Sequence, residues 1–143
     1  MRSSGLDVGD KRIGIAMSDP LGILASPFTV LEHTDYDSDA EAILKIVKDN
    51  GVENIVVGLP QSLSGAIGAQ AQKVQAFIEI LKQKTSIPII FRDERLSTVS
   101  AKRMVQESAN KKSKKKVEYD AIAAAVILQG YLDEAAFQRY DAI

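Results

Sequence analysis

Asp7, Glu94 and Asp120 are carboxylates separated by most of the chain, and each falls at the end of a regular element read from its neighbours. Brought together, three carboxylates repel, and without a cation at least one of their pKa values must rise; a divalent ion reverses that sign. Hard oxygen donors without His or Cys suit Mg²⁺, with Mn²⁺ as a substitute, ions that keep several waters and take their remaining ligands from substrate phosphates. Two such ions about 4 Å apart can activate an attacking water and stabilise the leaving oxygen of a phosphodiester, so no protein nucleophile is needed. Each residue also has a plainer reading. Asp7 with Gly9 suits a hairpin turn, Glu94 could pair with Arg92 or Arg95 as a surface charge, and Asp120 could simply cap a helix.

The elements that must position them follow from hydrophobic period. Gly5 to Val8, Ile13 to Met17 and Ala25 to Leu31 read as extended segments of an antiparallel meander, with Ile13, Ile15 and Met17 alternating with small residues. Ser38 followed by Glu41 matches a capping box ahead of the stripe Ile43, Ile46 and Val47, and Asn50-Gly51 supplies the stop. Ile55-Val56-Val57 is a short apolar run closed by Gly58-Leu59-Pro60, as expected for a strand buried on both faces. A helix carrying Val74, Phe77, Ile78 and Leu81 leads to a further strand, Ile87 to Phe91, which runs into Arg92-Asp93-Glu94. Ser97 or Thr98 can cap a helix to about Ser108, and Ala121 to Leu128, apolar throughout, predicts a helix packed on a sheet with Asp120 at its start. The order β-β-β-α-β-α-β-α-α predicts an α/β fold with a mixed sheet and helices on both faces. Ligands of such sheets lie beyond the carboxyl ends of the parallel strands.

Composition narrows the function class. The 143 residues, 45% hydrophobic and 26% charged, fit one domain spanning 1–143. The formal charge of -1 advertises no polyanion partner overall, but from Arg92 to Asp120 nine Lys or Arg stand against five Asp or Glu, so one segment is basic on an acidic body. Within it Lys111, Lys112, Lys114, Lys115 and Lys116 form a run too repulsive to pack, expected as a flexible loop that could carry backbone phosphates to Asp120. Lys11 and Arg12 in the hairpin after Asp7, and Arg95 beside Glu94, are further candidates for phosphate contact. His33, the sole histidine, stands among polar neighbours and reads as surface. The absence of cysteine excludes disulfides and thiolate zinc sites. No membrane span or signal peptide is legible, so a cytoplasmic location is expected.

Four strings occur in order: Asp7-Val8-Gly9-Asp10-Lys11-Arg12-Ile13-Gly14, Val57-Gly58-Leu59-Pro60, Asp93-Glu94-Arg95-Leu96-Ser97-Thr98, and Asp120 ahead of Ala123-Ala124 and Ile127-Leu128. From Gly5 to about Leu132 the chain resembles the YqgF (RuvX) family. The resemblance implies a ribonuclease H-like fold, in which a three-stranded antiparallel meander joins parallel strands in a five-stranded sheet, and a Mg²⁺-dependent nuclease site. Carried over by motif, its carboxylates are Asp7, Glu94 and Asp120. The family was assigned to Holliday junction resolution by similarity to resolvases and was later linked to maturation of pre-16S rRNA ends during ribosome assembly. The expected partner is therefore nucleic acid, pre-rRNA ahead of branched DNA, with ribosomal particles as a further candidate; oligomeric state stays open. Ser3 and Ser4 in the first strand and Tyr119 before the last aspartate depart from the family pattern, where apolar and aliphatic residues are commoner. Two other classes compete: a binding domain that holds nucleic acid or a ribosomal partner without turnover, and a nucleotide hydrolase, because Asp-X-Gly with a second Gly also resembles the phosphate loop of the actin and sugar-kinase fold.

Overall fold

The computed structural model describes residues 1–60, 68–93 and 115–141. Five strands, β1 (Ser3–Val8), β2 (Arg12–Ser18), β3 (Ala25–Glu32), β4 (Asn54–Leu59) and β5 (Ile89–Asp93), form one sheet in the order β3-β2-β1-β4-β5. The meander β1-β2-β3 is antiparallel, whereas β4 and β5 add in parallel on the other side of β1. This is the mixed sheet that the sequence predicts. Its connections are the helices α1 (Tyr36–Asp49) and α2 (Ala69–Lys84), and a third described helix, α3 (Lys115–Asp141), follows later in the chain. The helix expected from Ser97 or Thr98 to about Ser108 lies outside the described residues.

Strand periodicity sorts the side chains onto two faces. Leu6, Ile13, Ile15, Ile55 and Val57 turn one way and pack with Ile43 and Val47 of α1 and Val74, Phe77, Ile78 and Leu81 of α2. Ala16 and Val56 turn the other way, against Ala124, Ala125, Ile127, Leu128 and Leu132 of α3. Helices thus cover both faces, and α3 buries the apolar run that the sequence singles out.

The α3 face is shaped by absent side chains. A Cβ on Gly5 would stand 2.7 Å from the backbone oxygen of Ala124 and 2.8 Å from Leu128 Cβ, both closer than carbon contacts allow. Glycine in the central strand therefore lets the helix backbone rest on the sheet.

Ser3 and Ser4 are buried without leaving an unmet polar group. The Ser4 hydroxyl donates to the Ala16 carbonyl at 3.0 Å, the Ser3 N–H donates to Ser18 Oγ at 2.8 Å, and the Ser3 hydroxyl donates to Asn54 Oδ1. Asn54 in turn donates to the Tyr131 hydroxyl of α3 at 3.3 Å, so serines in the first strand tie it to three other elements, β2, β4 and α3, at a tolerable desolvation cost.

The start of α1 differs from expectation. Asp35, not Ser38, is the N-cap: its carboxylate accepts from the Ser38 N–H at 2.8 Å and from the Ser38 hydroxyl at 2.9 Å. A carboxylate at the positive end of the helix dipole is a stronger cap than a hydroxyl one turn later, which moves the helix start three residues upstream. The last strand also runs two residues later than its apolar letters, because the carbonyl of Pro88 already accepts from Ile55 and pairing continues through Asp93 to Leu59.

Candidate active site

Asp7 is the penultimate residue of the central strand β1. Leu6 enters the α1/α2 core, so alternation turns Asp7 to the α3 face, and its register partner across the β1–β2 ladder is Gly14. Directly over Gly14 lies the backbone of Asp120: a Cβ at Gly14 would fall 1.9 Å from the Asp120 carbonyl oxygen. Two aspartates 113 positions apart are thereby brought to one end and one face of the sheet.

Asp120 does not open its helix. α3 begins at Lys115, and Asp120 sits in its second turn, so the reading of Asp120 as a cap is corrected. Lysine and glutamate are good helix formers, and Lys115 and Lys116 continue the helix upstream instead of belonging to a loop. Lys111, Lys112 and Lys114 lie outside the described residues, as do Glu94 and Arg95.

Arg12, on the α3 face two residues before Gly14, donates through Nε to Asp120 Oδ2 at 2.8 Å, a charge-assisted bond between partly buried side chains. Arg12, expected at a substrate phosphate, holds a candidate ligand here. Lys11 stays exposed at the hairpin tip, with its carbonyl accepting from the His33 N–H at 2.9 Å. On the far side, Arg92 faces α3, lies against Gly130 and pairs with Glu134 at 2.9 Å, while β5 ends at Asp93, one covalent step before Glu94.

Asp7 and Asp120 are hard oxygen donors on one face, with no bulk at Gly14 between strand and helix, and this donor chemistry fits a divalent cation of the Mg²⁺ class. No group of three or more His, Cys, Asp or Glu that could hold a metal occurs among the described residues, which do not include Glu94.

One group escaped the sequence reading. His33 is not merely solvated: its Nδ1 meets the carboxylate of Asp39, which is only 3% exposed and also accepts from the N–H and hydroxyl of Thr34 at 3.2 and 3.3 Å. The overlooked signal is that Asp39 lies in helical phase with Ile43 and Val47, an acid inside an apolar stripe. His33 and Tyr36 line an open hollow of about 240 Å³ with Gln70, Lys73 and residues 8–10, beside the end of β1 on the face opposite α3.

Comparison with known proteins agrees with this architecture. Residues 1–134 match the family model RuvX, described as Holliday junction resolvase. A protein of Desulforamulus reducens named "Putative pre-16S rRNA nuclease" is 47% identical over 136 residues, covering 95% of this chain and 99% of that one. One of the same name from Dehalococcoides mccartyi is 52% identical over 127 residues, with 89% and 94% covered. Among solved structures, RuvC of Thermus thermophilus in complex with a Holliday junction substrate superposes with a TM-score of 0.61 at 12% identity, covering 94% of each chain. The Fowlpox virus resolvase bound to Holliday junction DNA gives 0.56 at 10% identity, covering 94% of this chain and 99% of that one; likeness at this identity shows the shared ribonuclease H-like fold.

Proposed function

The chain belongs to the RuvX family of nucleases, hydrolases of phosphodiester bonds, and from that premise we propose that it is a Mg²⁺-dependent enzyme that processes the ends of precursor 16S rRNA, with branched DNA as a second substrate. The observation that carries the reading is the seating of Asp120 over Gly14, beside Asp7 on the central strand.

In this reading Asp7, Glu94 and Asp120 are the catalytic carboxylates and hold the metal. Bound there, Mg²⁺ would supply Lewis acidity toward the scissile phosphate and a more acidic water. The chain's own part is to keep its donors converged. Asp7 stands on a strand hydrogen-bonded on both sides, Asp120 is fixed by the contact of its backbone with β2, and the Arg12 Nε–H turns the Asp120 carboxylate. Lys11, Arg95 and the lysines at 111, 112, 114, 115 and 116 would hold backbone phosphates, and Arg12 would reach substrate only by sharing its guanidinium with Asp120. We place the activity in the cytoplasm with ribosomal particles as partners, carried by the chain acting as one domain. No described helix is long and apolar enough to cross a membrane.

The test compares purified wild type with Asp7→Asn and Asp120→Asn on pre-16S rRNA and on a four-way DNA junction, with Mg²⁺, Mn²⁺ or EDTA. Both variants should keep the wild-type circular dichroism and lose cleavage, and EDTA should abolish it. Wild type that binds either substrate without any metal-dependent product would make the domain a binding module.

A further inference from the structure

We infer that the end of the molecule opposite Asp7 and Asp120 is a self-association surface, on which the β2–β3 hairpin tip of one copy packs against the α3 tail of a second copy.

The placement follows from strand direction. β1 runs toward Asp7 and β2 returns beside it, so Met17, the partner of Ser4, and the loop 19–24 that follows lie at the start of β1. α3 passes over Gly14 with Asp120 and then descends to this loop. There the Gln129 amide donates to the Ile23 carbonyl at 3.0 Å and accepts from the Ala25 N–H at 2.8 Å. The helix continues to Asp141, roughly 18 Å past that contact, and Phe137 stands about 25 Å along it from Asp120.

Large apolar side chains meet water at this end. Met1, Leu21, Ile23, Leu24 and Phe137 are each 59–71% exposed, and the Met1 amino group donates to the Pro20 carbonyl at 2.7 Å, which seats Met1 against the loop. At roughly 200 Å² for a whole side chain of this class, the five present roughly 600 Å² of apolar surface, the upper limit for an ordinary monomer. A standard interface takes roughly 800 Å² from each partner, so these side chains with their polar rim suffice for a pair of copies.

The loop is built to hold its apolar tips outward. The Gly22 N–H donates to the Asp19 carbonyl at 3.0 Å, a turn that Gly22 closes at φ +73°, and Asp19 Oδ1 accepts from the Ile23 and Leu24 N–H groups at 2.7 and 2.9 Å. A loop so tied docks at little ordering cost. Its counterpart is concave: Phe137 with Asp133, Glu134 and Gln138 lines an open hollow of about 320 Å³ on the α3 tail. A knob and a hollow at one end of one chain are both filled when a two-fold axis brings two copies end to end.

Charge favours a second copy over a basic partner. Asp19 is engaged by its own loop, Asp133 accepts from Gln129 at 2.9 Å and Glu134 from Arg92 at 2.9 Å, so these acids of the rim are already met. The pairing leaves both Asp7 and Asp120 ends outermost and open.

The experiment is sedimentation velocity of the full chain over roughly 1 to 100 μM, the range of micromolar association, for wild type, Leu21→Asp and Phe137→Asp. Wild type should pass from 15.5 kDa to twice that mass as concentration rises, while each variant, folded with a wild-type Tm, should stay at the single mass. The chain has no cysteine, so a mixture of Leu21→Cys and Phe137→Cys under mild oxidation reads the contact directly. A link between positions 21 and 137 should form far faster than one to Lys45→Cys on the exposed side of α1. A wild type that stays at the single mass throughout overturns the proposal and leaves the surface to a different protein. So does a dimer that persists in both folded variants, or one that cross-links no better at 137 than at 45. The measurement uses neither metal nor substrate, so its failure leaves the nuclease reading standing.

Discussion

Gly14 and Asp120 touch backbone to backbone: the hydrogen of the glycine occupies the place where any Cβ would lie 1.9 Å from the aspartate's carbonyl oxygen. The contact sets the height of α3 above β2, and because Gly14 is the register partner of Asp7, it also sets the separation of the two carboxylates. Gly14→Ala must lift the helix, since the obstacle is backbone and cannot swing aside. The expected cost is about 3 kcal/mol, the upper end of overpacking, together with a large loss of cleavage. Chemical denaturation alongside a cleavage assay checks it, and Gly14→Ala with wild-type values in both would mean that the helix position is not what aligns the site.

Arg12 is expected to act through Asp120. Its Nε–H to Oδ2 bond at 2.8 Å is partly exposed, so Arg12→Gln should cost no more than about 1 kcal/mol in stability while raising the Mg²⁺ concentration needed for half-maximal cleavage. Arg12→Lys should recover little of that loss, because an ammonium lacks the planar fork. A metal titration of both variants decides the sign: a lower Mg²⁺ requirement would show that the guanidinium competes with the cation instead of orienting its ligand.

The cap of α1 makes a pH prediction. The Ser38 N–H, and after it the Ser38 hydroxyl, holds the Asp35 carboxyl below its ordinary value of 3.8. A depressed folded-state pKa contributes stability that is fully present above the ordinary value and is lost as pH falls from there through the folded value. Asp35→Ala should therefore lower Tm at neutral pH, and the gap from wild type should narrow once pH drops below 3.8. Thermal melts at neutral and acid pH test this; an unchanged gap would assign the effect to helix propensity.

Where the sequence was legible, a single local pattern sufficed. Alternation of Ile13, Ile15 and Met17 marks β2, the run Ile55 to Val57 marks a doubly covered strand, and the stripe Ile43, Ile46 and Val47 marks α1. The misread features are those where two local patterns compete. Asp35 with Ser38 and Ser38 with Glu41 have the same capping spacing, and only the negative charge that Asp35 brings to the positive end of the helix dipole separates them. Repulsive lysines suit a loop or a helix terminus equally, so the pattern alone starts α3 at Asp120, whereas the helix begins at Lys115. For the site, Asp7 stood out as a strand-end acid, but its approach to Asp120 is tertiary. The trace of it in the sequence is Gly14 between Ile13 and Ile15 in a strand, a mark of close backbone approach.

The lysine run offers a measurement that separates charge from structure. Each phosphate a lysine neutralises releases counterions and steepens the fall of log K with log salt by about 0.9 on duplex or 0.7 on single strands. Replacing Lys111, Lys112 and Lys114 with alanine leaves the described first turn of α3 intact and should flatten the slope by up to three such increments, without moving Tm by more than a degree or two. Binding at low salt should weaken alike for pre-rRNA and junction DNA, since backbone contacts carry no base information. An unchanged salt slope in the triple variant would remove these three lysines from the nucleic-acid interface and leave Lys11, Arg95, Lys115 and Lys116 as the remaining phosphate contacts.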